Sequence, residues 1–126
     1  MSPEVISKVV RDYFSAVRAM DQQAWVNTFA TDAFSYDPVG GPKIEGHGDL
    51  ATFFQSIVGE FKEIGLTADQ VFIAGNCAAV KWTGRGVSKQ GNKVRFGGID
   101  VFEVNEQGKI QNLHAYWNPA EMMAQL

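Results

Sequence analysis

The chain has one cysteine, two histidines and four prolines in 126 residues, and the first two shortages each close off a class of chemistry. Cys77 alone cannot form a disulfide within the chain, so a disulfide-stapled secreted scaffold is excluded. His47 and His114 each stand without a second histidine or cysteine nearby, so the ligand spacing of a zinc site is missing. No Gly-x-Gly-x-x-Gly, phosphate-binding loop or His-x-x-x-His occurs, so nucleotide and metal chemistry have no fingerprint. The expectation is a protein that works without cofactor or metal. Eleven basic residues against fourteen acidic ones give a net charge of −3, and no basic run is present. A nucleic-acid surface is therefore not expected. No apolar run approaches the ~20 residues of a membrane span. The N-terminus also lacks the basic-then-apolar pattern of a signal peptide. These absences predict a cytoplasmic protein whose partner is a small molecule or another protein, with no membrane contact.

What is present is a composition 45% hydrophobic, enough to build the core of one domain spanning 1–126. Ser2-Pro3-Glu4 combines an N-cap, a first-turn proline and a first-turn acid. Val5, Ile6, Val9, Val10, Tyr13, Phe14, Val17 and Met20 then recur at the spacing of one helical face. Asp21 caps a second helix through Phe29, and Gly46-His47-Gly48-Asp49 leads into a third over Leu50 to Val58. Ala33 to Asp37 alternates as a first strand, with Ala33, Ser35 and Asp37 on one face and Phe34 and Tyr36 on the other. Ile64–Ile73, Cys77–Ser88, Lys93–Val104 and Ile110–Trp117 read as strands separated by Gly- and Asn-rich turns, and Pro119 to Gln125 as a tail helix. Helices followed by hairpin-linked strands predict an α+β fold, with a curved antiparallel sheet wrapped on the N-terminal helices.

Three residues stand out against this background. Asp37 ends an apolar strand just before Pro38 and the Gly40-Gly41-Pro42 loop, on the same face as small residues. Ordinary turn chemistry explains an Asp-Pro pair equally well. Asp100 lies inside the apolar strand Phe96-Gly97-Gly98-Ile99-Asp100-Val101-Phe102, where Phe96 and Phe102 flank it on its own face. A carboxyl desolvated in that way stays protonated and can donate a hydrogen bond; a surface position is the alternative. Tyr13 lies mid-helix on the apolar face, so its hydroxyl needs a partner if the ring is buried. Simple core packing is the plain alternative. His47 reads as an exposed or capping residue and His114 as a satisfied or interfacial one.

The order of Val9-Val10-Arg11-Asp12-Tyr13, Ala30-Thr31-Asp32-Ala33, Asp37-Pro38-Val39-Gly40, the Gln90-Gly91 hairpin and Ile99-Asp100-Val101-Phe102 resembles the ketosteroid isomerases (steroid Δ-isomerases) over nearly the whole chain. The resemblance implies the cone-shaped α+β fold of the nuclear-transport-factor-like and SnoaL-like superfamily, which is cystatin-like in outline and commonly a homodimer. It implies a cofactor-independent isomerase that shifts a proton beside a ketone through a dienolate. In that scheme Asp37 is the general base, and Tyr13 and Asp100 donate to the oxyanion. A carboxylic acid kept neutral as a donor is an established property of those isomerases, so that role is borrowed from the resemblance. Trp117 matches an aromatic lining the substrate pocket. Leu113 and Ala115, together with Val39, Phe54, Phe96 and Phe102, complete the expected substrate-binding set.

The chain departs from the family pattern in three places. Phe54 stands where a tyrosine usually supports the oxyanion tyrosine. Gly97-Gly98 predicts a thin wall beside Asp100. A gapless alignment puts Lys81, Thr83 and Arg85 on the pocket wall, whereas amphipathic alternation buries Ala78, Val80 and Trp82 and sends the cations to solvent; a bulge at Gly84-Arg85-Gly86 would reconcile the two. Two other functions stay open. A SnoaL-like cyclase, dehydratase or hydrolase acting on a more polar substrate would bring Arg85 to Asp100. A non-catalytic ligand-binding or dimeric assembly module would have its pocket collapsed around Tyr13 and Asp100.

Overall fold

Local capping signals set the helix starts in the computed structural model, which describes residues 2–126. Ser2 Oγ accepts from the Val5 amide at 3.3 Å and opens α1 (Pro3–Arg18). Asp21 Oδ1 accepts from the Ala24 amide at 3.0 Å and opens α2 (Gln22–Val26). The predicted apolar stripe of α1 is buried from Ile6 to Val17, but Val5 lies at the helix mouth and is 40% exposed. Helix α2 stops three residues before the expected Phe29, because Phe29 already enters β1 (Phe29–Tyr36). That strand begins four residues before the expected Ala33 and carries an irregularity in register between Phe29 and Phe34.

A three-residue strand, β2 (Lys43–Glu45), pairs with β1; it is too short to leave an alternation signal. It leads into α3 (Gly46–Val58), whose buried face is Leu50, Phe54 and Val58. The remaining elements are β3 (Phe61–Ala74), β4 (Cys77–Ser88), β5 (Lys93–Val104), β6 (Ile110–Trp117) and α4 (Pro119–Met123). The last is two residues shorter than the predicted tail helix.

The six strands form one sheet in the order β2-β1-β6-β5-β4-β3. All neighbours are antiparallel except β1 and β6, which run parallel with Ser35 opposite Leu113 and Tyr36 opposite His114. The expected curved antiparallel sheet is thus present, with the β1–β6 pair as its parallel exception. A parallel pair needs a long connection, and most of the chain lies between these two strands. The pairing brings the end of β1, where Asp37 sits, beside the end of β6, where Trp117 sits.

Alternation along β4 decides the Lys81 and Arg85 question. Ala78, Val80, Trp82 and Gly84 are buried against the helices, while Lys81 and Arg85 are exposed on the other face. Register between β4 and β5 is unbroken from Cys77 to Val87, so no bulge at Gly84-Arg85-Gly86 is there to reconcile the two readings. The irregularities lie in the neighbouring strand, between Phe61 and Glu63 and between Ala68 and Gln70. The bulged Asp69 accepts from Thr83 Oγ1 at 2.6 Å and lies 3.7 Å from Lys81 Nζ. Glycine at 84 is required because a Cβ there would lie 2.7 Å from the Phe96 ring.

Candidate active site

Tyr13, Asp37 and Asp100 come from a helix, a strand end and a central strand, and they line one cavity of about 50 Å3. Tyr13 reaches it because it lies on the buried face of α1, where it is 4% exposed. Asp100 points inward from β5 between its cross-strand neighbours Val80 and Ala115 and is 2% exposed. Asp37 follows β1 on the inward side already set by Ala33 and Ser35, and stays half-buried; its peptide bond to Pro38 is cis.

The rest of the wall is aromatic and aliphatic. Trp25, Trp82 and Trp117 line it together with Phe53, Phe54 and Phe96. The Trp82 and Trp117 rings meet edge to face at 6.1 Å, Phe96 packs on both, and Trp25 packs on Phe54 at 4.9 Å. The thin wall expected at Gly97-Gly98 is therefore absent. A Cβ at Gly98 would lie 2.7 Å from Trp117 Cβ and 3.0 Å from Trp82 Cζ2, so the missing side chain is the space the two indoles occupy. The same rings leave the cavity small. It has about a third of the roughly 150 Å3 that holds a benzene in a protein core.

The electrostatics separate the two carboxyls. Burial pushes Asp37 up to about 6, and the Trp117 indole N–H, which donates to Asp37 Oδ1 at 2.5 Å, pulls in the opposite direction. Burial, reinforced by the negative charge of Asp37, holds Asp100 well above the carboxylate range, against a smaller opposing effect of the Trp82 N–H. Tyr13 is likewise raised well above the ordinary phenol value by burial and then by Asp100 and Asp37, with the Trp25 N–H opposing. Asp37 is thus the carboxyl that ionises first, and burial together with its charge biases Asp100 and Tyr13 toward keeping their protons. Among the described residues no lysine or arginine lines the cavity, and Lys81 and Arg85 are exposed on the other face of the sheet. Chemically, that set can take a proton from carbon at Asp37 and donate two hydrogen bonds to an oxygen at Tyr13 and Asp100.

Of the residues expected to bind substrate, Trp117, Phe54 and Phe96 line the cavity; Phe102, Leu113, Ala115 and Val39 do not. Phe102 is sealed in the core beneath the Tyr13 ring, with centroids 5.0 Å apart. Leu113 and Ala115 point inward but are covered, at 0% and 1% exposure. Val39 ties the loop to β6 by donating its amide to the Ala115 carbonyl at 2.8 Å, and its side chain is 41% exposed. His47 Nε2 lies 2.9 Å from the Phe29 carbonyl oxygen, and His114 packs on Tyr36 on the outer sheet face, so neither meets the cavity.

Sequence reasoning missed Trp25 as a wall residue and read Trp82 only as a core residue. The inward direction of Trp82 was readable from alternation. That it lies directly opposite Gly98, two residues from Asp100, follows only from the strand register. The donor role of Trp117 toward Asp37 was also missed, since it depends on the parallel pairing of β1 with β6.

Comparison with known proteins places this geometry in a family. A steroid Δ-isomerase of Nocardioides simplex is 29% identical over 123 residues, covering 98% of this chain and 97% of the relative. The crystal structure of a Δ5-3-ketosteroid isomerase from a Mycobacterium species is 21% identical with a TM-score of 0.81, covering 94% of this chain and 96% of that one. An epoxide hydrolase of Mycobacterium tuberculosis is 20% identical with a TM-score of 0.78, covering 98% and 90%. At such identities the two structures share the fold with this chain. The family model for the SnoaL-like domain matches residues 10–113, most of the chain, and the protein belongs to the SnoaL-like family within the nuclear-transport-factor-like superfamily.

Proposed function

We propose that the protein is an isomerase that shifts a proton beside a ketone, on a small apolar substrate. The observation that carries this reading is the convergence of Tyr13, Asp37 and Asp100 on one otherwise apolar cavity, where burial raises both carboxyls and the charge of Asp37 raises Asp100 further. Asp37 takes a proton from the carbon between the carbonyl and the alkene of a β,γ-unsaturated ketone. The electron pair moves into the carbonyl and leaves a dienolate, whose oxyanion accepts hydrogen bonds from Tyr13 and Asp100. Asp37 then returns the same proton to the γ carbon, giving the conjugated ketone with no net change in atoms or charge. A base with a pKa near 6 suits this role, because it is ionised at neutral pH yet basic enough to return the proton promptly.

The size of the cavity argues for a compact substrate over a tetracyclic one, and for an aromatic wall on α3 (Phe53, Phe54) that yields on binding. Arg85 lies on the far side of the sheet from Asp100, which counts against the polar-substrate alternative. The test is to supply simple β,γ-unsaturated ketones and a 3-keto steroid and follow the absorbance of the conjugated product. Turnover by the wild type with its loss in Asp37→Asn is expected; equal rates in both, or no turnover of any ketone, would sink the assignment.

The active form in this reading is a homodimer. Phe72, Ala79, Val101, His114 and Tyr36 lie in direct register across five strands on the outer sheet face. Ile99 and Tyr116 extend the row and are about half exposed, at 45% and 51%. Lys81 flanks the row on one side and Glu103 on the other, so a two-fold axis through it sets unlike charges against each other.

A further inference from the structure

Among the described residues, three buried side-chain polar atoms have no hydrogen-bond partner, and two of them are Trp25 Nε1 and Trp82 Nε1. Buried donors are nearly always paired in native proteins, so two orphans on the wall of one small cavity require an explanation. Both indoles are held firmly. Trp25 is 2% exposed and packed on Phe54, and Trp82 is 3% exposed and packed on Phe96 and Trp117. Each sits beside one of the two groups assigned as oxyanion donors. The Trp25 ring lies 5.6 Å from the Tyr13 ring, and Trp82 stands opposite Gly98 on the strand that carries Asp100. Neither N–H makes a hydrogen bond in the resting structure, and each lowers the pKa of its neighbour, Trp25 that of Tyr13 and Trp82 that of Asp100, against the larger effect of burial.

We propose that Trp25 and Trp82 are positioning residues that form a second tier behind the oxyanion site, Trp25 donating to Tyr13 Oη and Trp82 to the Asp100 carboxyl when negative charge arrives there. The proposal rests on the isomerase reading. In the resting protein, Tyr13 and Asp100 are neutral, and their oxygens are weak acceptors. When a dienolate forms, their protons lean toward the substrate oxygen, and part of its charge passes to the phenol and carboxyl oxygens. Those oxygens then become charged acceptors, for which hydrogen bonds are shorter and stronger. A bond made only at that moment stabilises the transition state without tightening the ground state, which raises turnover and leaves substrate affinity alone. The arrangement also accounts for Phe54, which lacks the hydroxyl expected beside Tyr13: its ring supports the indole that supplies the donor instead.

The test uses the full chain labelled with nitrogen-15 at the tryptophan indoles, with phenol and 4-nitrophenol as oxyanion mimics. On binding either phenol, the indole proton resonances of Trp25 and Trp82 should move downfield, and the Trp25 movement should vanish in Tyr13→Phe. No tryptophan is altered in that experiment, so folding does not limit it. Trp25→Phe and Trp82→Phe, which keep an aromatic ring and remove only the donor, should each lower kcat and phenolate affinity about tenfold with KM changed less than twofold. Placed on Tyr13→Phe, Trp25→Phe should have no further effect. Resonances that stay in place when the wild type binds a phenol overturn the proposal, as does a Trp25→Phe loss of equal size in the Tyr13→Phe background, the mark of a purely structural role. A different result, phenol binding that is absent in the wild type or unaffected by Tyr13→Phe and Asp100→Asn, overturns the isomerase reading beneath it.

Discussion

Replacing Trp117 by phenylalanine should move the pH dependence of the reaction in a direction that the structure dictates. The substitution removes the indole N–H that donates to Asp37 Oδ1 at 2.5 Å, while a ring remains to pack between Trp82 and Phe96. Asp37 is held at about 6 by two opposed effects, burial raising it and this donor lowering it. With the donor gone, burial alone acts. A hydrogen bond to a charged group contributes about 1.5–3 kcal/mol, and about 1.4 kcal/mol corresponds to one pH unit, so the acidic limb of kcat/KM should rise by about one to two pH units. The wild-type carboxylate is about 90% ionised at pH 7, and the variant would be about 10–50% ionised, which predicts a rate about two- to tenfold lower there. At high pH the two proteins should converge, because the base is then ionised in both. The assay is the absorbance of the conjugated ketone across the pH range, with a carbon-13 titration of the Asp37 carboxyl as a check that needs no turnover. A limb that stays near 6, or moves to lower pH, would refute the claim that Trp117 holds Asp37 in its ionised form.

Other substitutions probe separate parts of the site. Asp100→Asn keeps a donor that cannot ionise and should cost kcat no more than about tenfold, whereas Asp100→Ala should cost about 10²–10³-fold; equal losses would mean that the carboxyl does more than donate. Gly98→Ala puts a methyl 2.7 Å from Trp117 Cβ and should destabilise the fold by about 1–3 kcal/mol in urea unfolding, with an unchanged midpoint contradicting the packing described. The raised pKa of Asp37 also sets a pH dependence of stability. Its carboxyl is harder to ionise folded, at about 6, than at the ordinary value of 3.8. Its contribution is therefore fully favourable below about pH 4 and is lost as pH rises through about 6, by at most about 3 kcal/mol because the group keeps some contact with water. Asp37→Asn should flatten that slope, and a wild type that gains stability across the same window would show the sign to be wrong. Phe72→Glu combined with Tyr116→Glu should convert a dimer into a monomer in sedimentation equilibrium, and a wild type already monomeric would remove the outer face as an interface.

Much of this architecture was readable locally. The apolar spacing from Ile6 to Val17, the Ser2 and Asp21 caps, and the bounds of β4, β5 and β6 all follow from neighbouring residues, and the structure agrees with them. The inward set Ala78, Val80 and Trp82 was likewise visible as plain alternation, and it prevailed over an alignment that would have turned Lys81 and Arg85 into the pocket. Strand β2 was unreadable because three residues carry no period, and the early end of α2 because Phe29 suits a helix and a strand equally. Phe102, Leu113 and Ala115 point inward as their alternation predicts, but direction is not access; burial by the helices, which no strand pattern encodes, separates the two.

By itself, then, the sequence determined the order and kind of the elements and the inward placement of Tyr13, Asp37 and Asp100, because side-chain periodicity depends only on residues a few positions apart. Tertiary structure decided the parallel join of β1 to β6, the meeting of Trp82 and Trp117 over Gly98, and the small volume left between them. It also set the burial that raises Asp37 to about 6 and, with the charge of Asp37, raises Asp100 well above the carboxylate range. Those outcomes depend on register between strands distant in sequence and on loss of water from the carboxyls, and neither exists until the sheet has closed on the helices.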